Sequence, residues 1–397
     1  MQRFTSKTIQ AFPRSGPDAY LLNACLAQDG ETIQINLDKW KAEQELDLID
    51  PGAYKLIPLL QKQLTEFGIQ DSNLSIYKGI YRKSWMNNKL LFHRLVKLSA
   101  ILQARGIPVL LLKGVPLSVL YYKDNGIRPM DDADICVPID KLAETLAVFK
   151  DQGWYSRDNI SDETVFKYRK YICHSIDFKS NDELYIDIHW KPIDLPSSPE
   201  IDSAMWRDVK PMIINGVEVH TLSDEFHFFQ AIVHGVRWNP QSSVRWIADA
   251  IMILRSAGNQ FDWEKLFWFA EKYHAVIFIK EATGYLVDFH KAPIPRWVLE
   301  KLALMPISRA DRIEYNTVNH RNQLVNTVYY KLFAYYIKLR TVSGEWNAMP
   351  TLAGYLKYLN LQLESDNLFG SLVIELPKRT IRFFTKKKPA SAKRIRH

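Results

Sequence analysis

The sequence predicts an α+β fold: a small mixed β-sheet set between a helical N-terminal region and a mostly α-helical C-terminal region. Three observations carry this. Leucines recur at three- and four-residue spacing ahead of residue 105. Short apolar or alternating runs, separated by turn residues, fill 106–222. After Leu222 the helical period returns and holds almost to the C-terminus. The 397 residues therefore divide into a helical region 1–105, an α/β core 106–222, a helical region 223–377 and a basic tail 378–397.

The elements follow in order. Residues 1–50 are weakly patterned, and Pro51-Gly52 then punctuates the chain. Leu56, Leu59, Leu60 and Leu64 mark one helical stripe. Leu90, Leu91, Leu95, Leu98 and Leu102 mark another, stopped by Gly106 and Pro108. The run Val109-Leu110-Leu111-Leu112 reads as a buried strand, 114–122 as a helix, and Asp124-Asn125-Gly126 as a turn. A second strand covers 132–137 and is closed by Pro138. The amphipathic stretch 139–152 carries Leu142, Leu146 and Phe149 on one face and ends at Gly153. Strands 174–179 and 184–190 are joined by Ser180-Asn181-Asp182. Asn215-Gly216, the strongest short hairpin signal, joins 212–214 to 217–220. Ser223 is placed to cap a helix over 226–238. Further helices are predicted near 245–256, 262–274, 277–290, 295–304, 308–318 and 322–338.

Composition excludes several classes. With 47% hydrophobic and 24% charged residues the chain is neither mostly disordered nor collagen-like nor a coiled-coil rod. Cys25, Cys136 and Cys173 are far apart and in no CxxC, which argues against a disulfide framework or a cysteine zinc site. The net charge of +8 is local. The last twenty residues hold nine Lys/Arg and no Asp or Glu, leaving 43 basic against 44 acidic residues in the body. Such a body does not wrap nucleic acid on a broad basic face. The tail, with Phe383-Phe384 between basic clusters, suits nucleic-acid phosphates or an anionic membrane, or is a disordered solubilising end. The longest apolar stretch, 107–122, is interrupted by Lys113 and is too short to span a bilayer. The N-terminus lacks the apolar core of a signal peptide. The expected location is the cytoplasm.

The chemistry concentrates in three segments. Alternation places Asp132 and Asp134 on one face of their strand. Two adjacent carboxylates repel unless a cation lies between them, a role that suits Mg²⁺; a solvated strand end is the plainer alternative. In Tyr185-Ile186-Asp187-Ile188-His189-Trp190 the isoleucines take one face and Tyr185, Asp187 and His189 the other. A third acid fits a carboxylate centre for two Mg²⁺ about 3.5–4 Å apart, although an exposed edge-strand acid would read the same way. Lys113-Gly114, between a strand and a helix, is a candidate phosphate contact, and Arg128 a second. His189 is either a neighbour of the metal site or a packed strand histidine. His234, Arg237, Arg245 and Asp249 lie on adjacent helices, where they either close one side of the site or hold two helices together. There is no GxxxxGK[ST] and no GxSxG.

LLLKG, Tyr121-Tyr122, GIRPMDDADICV, a following helix with Gly-Trp, and IDIHW together resemble the uncharacterised nucleotidyltransferase family, within the polymerase-β-like nucleotidyltransferase superfamily. Thr221-Leu222-Ser223-Asp224-Glu225, His234-Gly235 and Arg245-Trp246-Ile247-Ala248-Asp249 extend the resemblance to about residues 85–290. It implies transfer of a nucleotidyl group from an NTP with two Mg²⁺ ions. Carried over by position, Asp132 and Asp134 would be ligands of both metals. Asp187 would be the third ligand and the acid near the acceptor hydroxyl. Lys113, Gly114 and Arg128 would be nucleotide-binding. The chain departs from the superfamily where Lys113-Gly114 replaces the usual Gly-Ser or Gly-Gly pair. The expected activity is NMP transfer to a hydroxyl on a small molecule or a protein side chain. A D-x-D glycosyltransferase, which gives Asp187 no role, and a non-catalytic regulator docking through its tail are the alternatives.

Overall fold

The computed structural model describes residues 12–237, 244–319, 336–337, 339 and 352–364. Five helices precede the sheet: α1 (Pro17–Leu26), α2 (Gly30–Glu43), α3 (Pro51–Tyr54), α4 (Ile57–Glu66) and the 31-residue α5 (Leu74–Ala104). The first two fall where the sequence pattern predicts nothing. α1 buries Leu21, Leu22, Ala24, Cys25 and Leu26, so almost no polar face is left to produce a helical period. Gly106, at φ 70°, turns the chain out of α5 as its position predicts.

The α/β region follows. β1 (Leu110–Leu112) leads into α6 (Gly114–Pro116), which continues as a π-helical turn over Leu117–Tyr122. Then come β2 (Ala133–Cys136), α7 (Leu142–Asp151), β3 (Trp154–Ser156), α8 (Asp162–Thr164), α9 (Lys170–Ile172), β4 (Ser175–Ser180), β5 (Tyr185–His189), α10 (Pro199–Arg207), β6 (Val209–Ile214) and β7 (Val217–Leu222). The β6–β7 turn has φ 50° at Asn215 and 80° at Gly216, the double positive φ that an Asn-Gly hairpin requires. β3 and α10 are absent from the sequence reading, because three residues show no alternation and α10 buries only Ile201 and Met205. Beyond the sheet lie α11 (Asp224–Val236), α12 (Arg245–Ala257), α13 (Trp263–Lys272), α14 (Val276–His290), α15 (Arg296–Leu304), α16 (Arg309–Asn319) and a helix over Leu352–Leu363. Ser223 caps α11 by accepting from the Phe226 amide, as expected. Apart from 336 and 337, the helix expected over 322–338 lies outside the described residues up to 335, as does the basic tail.

The seven strands form one mixed sheet in the order β3-β4-β5-β2-β1-β7-β6. β2 and β5 are parallel, as are β1 and β7; the remaining neighbours are antiparallel. Alternation divides two cores between the faces. Val109, Leu111, Ala133, Ile135, Ile186 and Ile188 pack with Leu91, Leu95 and Leu98 of α5 and Leu142, Leu146 and Phe149 of α7. Leu110, Leu112 and Cys136 belong to a second core, which mixes α1, α2 and α4 with α11–α15. The N- and C-terminal helices thus share one apolar interior on one face of the sheet.

Candidate active site

The same alternation that buries Ala133, Ile135, Ile186 and Ile188 turns the residues between them to the opposite face. Parallel pairing of β2 with β5 sets Asp134 directly beside Asp187 and Cys136 beside His189. Antiparallel pairing of β5 with β4 sets Asp187 beside Asp177. Asp134, Asp187 and Asp177 therefore form a row across three strands, each about 4.8 Å from the next along the sheet. Asp134 is 4% exposed and His189 fully buried, while Asp187 and Asp177 are half-buried. The row runs from beneath the helical layer towards solvent. Asp132 stands immediately before β2 and is exposed.

Asp134 is the centre of the electrostatics. Its Oδ1 accepts from Lys113 Nζ at 2.5 Å and from His189 Nε2 at 2.9 Å. Burial pushes its carboxyl up, but Lys113 and His189 outweigh that and hold it well below the usual range. Among the described residues Asp187 has no hydrogen-bonded cation, and the Lys113 charge only partly offsets its acidic neighbours. Burial, then the charges of Asp134, Asp177 and Asp132, push it up to about 8. Asp132 is raised as well, by the protein crowding its carboxyl group and by Asp134. Burial and the nearby Lys113 charge hold His189 down at about 4, so the ring is neutral with its proton on Nε2, facing Asp134. Burial opposes the Lys113 charge, but Asp134, Asp187 and Asp132 reverse the balance and its pKa is raised. One ligand atom from each of Asp134, Asp187 and His189 lies within 4.8 Å of the others, a spacing that a metal ion can bridge.

The loop that delivers Asp132 is fixed from several sides. Asn88 Nδ2 donates to the carbonyls of Asn125 (2.6 Å) and Arg128 (2.9 Å). Tyr81 OH donates to Asp124, and Arg245 donates to the Pro129 carbonyl at 2.7 Å. Lys55 pairs with Asp131. Arg128, named from the sequence as a nucleotide contact, is 6% exposed and makes two 2.9 Å hydrogen bonds to Asp249. Tyr122 OH donates to the same carboxylate at 2.9 Å. Burial raises the Asp249 carboxyl, but Arg128, Arg245 and Tyr122 outweigh it and keep it low. This triad bolts α12 to the π-helical turn and to the loop. Gly114 is buried, and a Cβ there would come within 2.7 Å of Met130 and 2.8 Å of Arg128. Its missing side chain makes room for that loop.

The structure brings Lys113, Asp132, Asp134, Asp187 and His189 together. It places Asp249 in the pair with Arg128, and Arg237 in a buried pair with Glu314 and a hydrogen bond to the Asp194 carbonyl. Arg245 is half-buried and spends a donor on the Pro129 carbonyl, and the protein packed around the His234 ring, with the Lys113 charge, lowers its pKa to about 4. Sequence reasoning missed Asp177. Its signal was the echo of Ile176-Asp177-Phe178 by Ile186-Asp187-Ile188, which pair in antiparallel register. It also missed Asn88, a polar residue on a leucine-rich helix that is fully buried.

A mixed sheet carrying neighbouring aspartates beside a strand-to-helix turn is the framework of a nucleotidyltransferase. The sequence profile of the family described as "uncharacterised nucleotidyltransferase" matches residues 53–290, and the chain belongs to that family. No curated protein matches it. Among solved structures, it is similar to the antibiotic-resistance factor ANT(2'')-Ia in solution, at 15% identity over 51% of this chain and 97% of that chain, TM-score 0.32. A crystal structure of ANT(2")-Ia with adenylyl-2"-tobramycin matches at 16% identity over 46% and 97%, TM-score 0.31. An antigenic nucleotidyltransferase-like protein from Paracoccidioides brasiliensis matches at 13% identity over 53% and 95%, TM-score 0.30. Family membership rests on the 53–290 match.

Proposed function

We propose that this nucleotidyltransferase moves an NMP group from an NTP to a hydroxyl of a small molecule or a protein side chain, with Asp132, Asp134 and Asp187 as the catalytic carboxylates. One observation carries the reading: the parallel register sets Asp187 beside Asp134 on the face that also receives Asp132. A D-x-D glycosyltransferase gives the third acid no part, so the register favours nucleotidyl transfer over that alternative.

The donor set is chemically suited to Mg²⁺, which prefers carboxylate oxygens and keeps water in its shell. Asp132, Asp134 and Asp187 would hold it; His189, a softer nitrogen donor, orients Asp134 instead. When bound, the metal supplies charge neutralisation at the phosphoryl oxygens and the leaving pyrophosphate. The chain's own residues do the rest. The acceptor oxygen forms a bond to the α-phosphorus as the bond to the β-phosphate oxygen breaks. The Asp187 carboxyl, raised to about 8 by burial and its acidic neighbours, would be held ionised by the bound cation, and an oxygen of it would then take the hydroxyl proton. Lys113 places a positive charge next to the carboxylates, and Arg245, which donates to the Pro129 carbonyl, fixes the loop that leads to Asp132.

The test is calorimetry with Mg²⁺ and each α,β-methylene NTP, alongside UDP-sugars, for the wild type and for Asp132→Asn/Asp134→Asn. Metal-dependent NTP binding that disappears in the double variant supports the reading. A preference for UDP-sugars, or no binding of either donor by the folded protein, overturns it.

A further inference from the structure

Resting on the nucleotidyltransferase reading, we propose that the Lys113 ammonium stands in for one of the two divalent cations, so that this site works with a single metal ion. The resemblance implies that Asp134 ligates both metals, and for that a carboxylate must offer each ion an oxygen. Each carboxylate oxygen has two lone-pair sites. Here Oδ1 of Asp134 already accepts from two protein donors, Lys113 Nζ at 2.5 Å and His189 Nε2 at 2.9 Å. Both of its sites are filled, and Oδ2 alone remains for an ion.

The backbone shows that the lysine is held there. Lys113 sits at φ 49°, ψ −112°, although the next residue is a glycine that could have taken a positive φ freely. A non-glycine residue in such a conformation is strained and persists only when its surroundings demand it. The register pairs Leu112 with Asp134, so the residue after Leu112 emerges at the end of the strand next to the acid. Three carboxylates, Asp134, Asp187 and Asp132, act on its ammonium, and its side chain is only 22% exposed. The position belongs to the strand-to-helix turn, where the superfamily usually carries Gly-Ser or Gly-Gly. A residue with no long side chain leaves the oxygen free for a second metal, whereas a lysine fills that oxygen with a fixed positive charge.

Mn²⁺ titration followed by electron paramagnetic resonance reads the difference, in the presence of whichever α,β-methylene NTP binds. Two manganese ions about 3.5–4 Å apart give an exchange-coupled spectrum, and one ion does not. The wild type is expected to bind one uncoupled ion per chain, and Lys113→Arg, which keeps the charge, to do the same. Lys113→Met removes the charge and Lys113→Gly also relieves the positive φ. A second ion and the coupled spectrum are expected in whichever of these two folds. Two coupled ions in the wild type would overturn the proposal while leaving nucleotidyl transfer intact. One ion in both uncharged variants would overturn it in the same way. No nucleotide-dependent ion in any folded variant would overturn both this proposal and the reading beneath it.

Discussion

At the scale of single residues, the site depends on how one buried carboxylate is neutralised. Asp134 keeps its charge in the interior because Lys113 and His189 share one of its oxygens. Removing the imidazole leaves Lys113 alone on that oxygen and the carboxylate without its orienting partner. His189→Ala is therefore expected to weaken Mn²⁺ binding by about 10–100-fold, the range for loss of a residue that orients a metal ligand; calorimetry measures it directly. The buried Arg128–Asp249 pair obeys different arithmetic. Truncating one member strands the other charge in the interior, and Arg128→Met should lower stability by about 3–5 kcal/mol in urea denaturation. Arg128→Met/Asp249→Leu, which removes both charges, is expected to recover part of that loss. Both pairs were invisible as pairs in the sequence. Arg128 and Asp249 are 121 residues apart, and nothing local to either distinguishes a buried bidentate pair from a free surface arginine.

At the scale of elements, the sequence spoke clearly where a segment had one wet and one dry face, as in α7, or carried a turn or cap signal, as in the β6–β7 hairpin and in α11, a helix buried almost all round. Ser223→Ala is expected to cost about 1 kcal/mol, read from thermal or urea unfolding, because the Phe226 amide loses its acceptor. Where both faces are buried, as in α1, or where an element is only three residues long, as in β3, periodicity had nothing to report. Close approach between elements was equally silent. A Cβ at Gly235 would overlap the Trp246 side chain, so α11 and α12 touch at a glycine. Gly235→Ala should lower stability by about 1–3 kcal/mol through overpacking, whereas Gly284→Ala, in α14 with open space for a Cβ, should raise it by up to about 1 kcal/mol through helix propensity. If the two substitutions prove equal, the α11–α12 contact is looser than described.

At the scale of the whole molecule, a buried polar chain ties the sheet to α11 and to the π-helical turn and sets an acid limit on folding. His227 is 1% exposed; its Nε2 donates to Thr221 Oγ1, which donates in turn to the Leu111 carbonyl of β1. Its Nδ1 faces the Tyr121 hydroxyl of the π-helical turn at 2.7 Å. Burial, then the charge of Lys210, lowers its pKa to about 3. The unfolded histidine titrates near 6.5. Between those values the unfolded chain binds a proton that the folded chain refuses, so stability falls as pH drops below about 6.5. The urea midpoint should decline between pH 7 and pH 5, and His227→Gln should flatten that slope; an unchanged slope would mean that the decline comes from other groups. The sequence alone determined the class of fold and the β6–β7 hairpin and singled out three acids as candidates, because periods, turn residues and the family's ordered motifs are local properties of a chain. Only the tertiary structure decided that residues of the first hundred share a core with those beyond 220, that Asp177 joins the acidic row, that Arg128 is bound to Asp249, and that Lys113 rests on Asp134. Strand order and register place distant residues side by side, and neither is encoded at the spacing of one turn or one pleat.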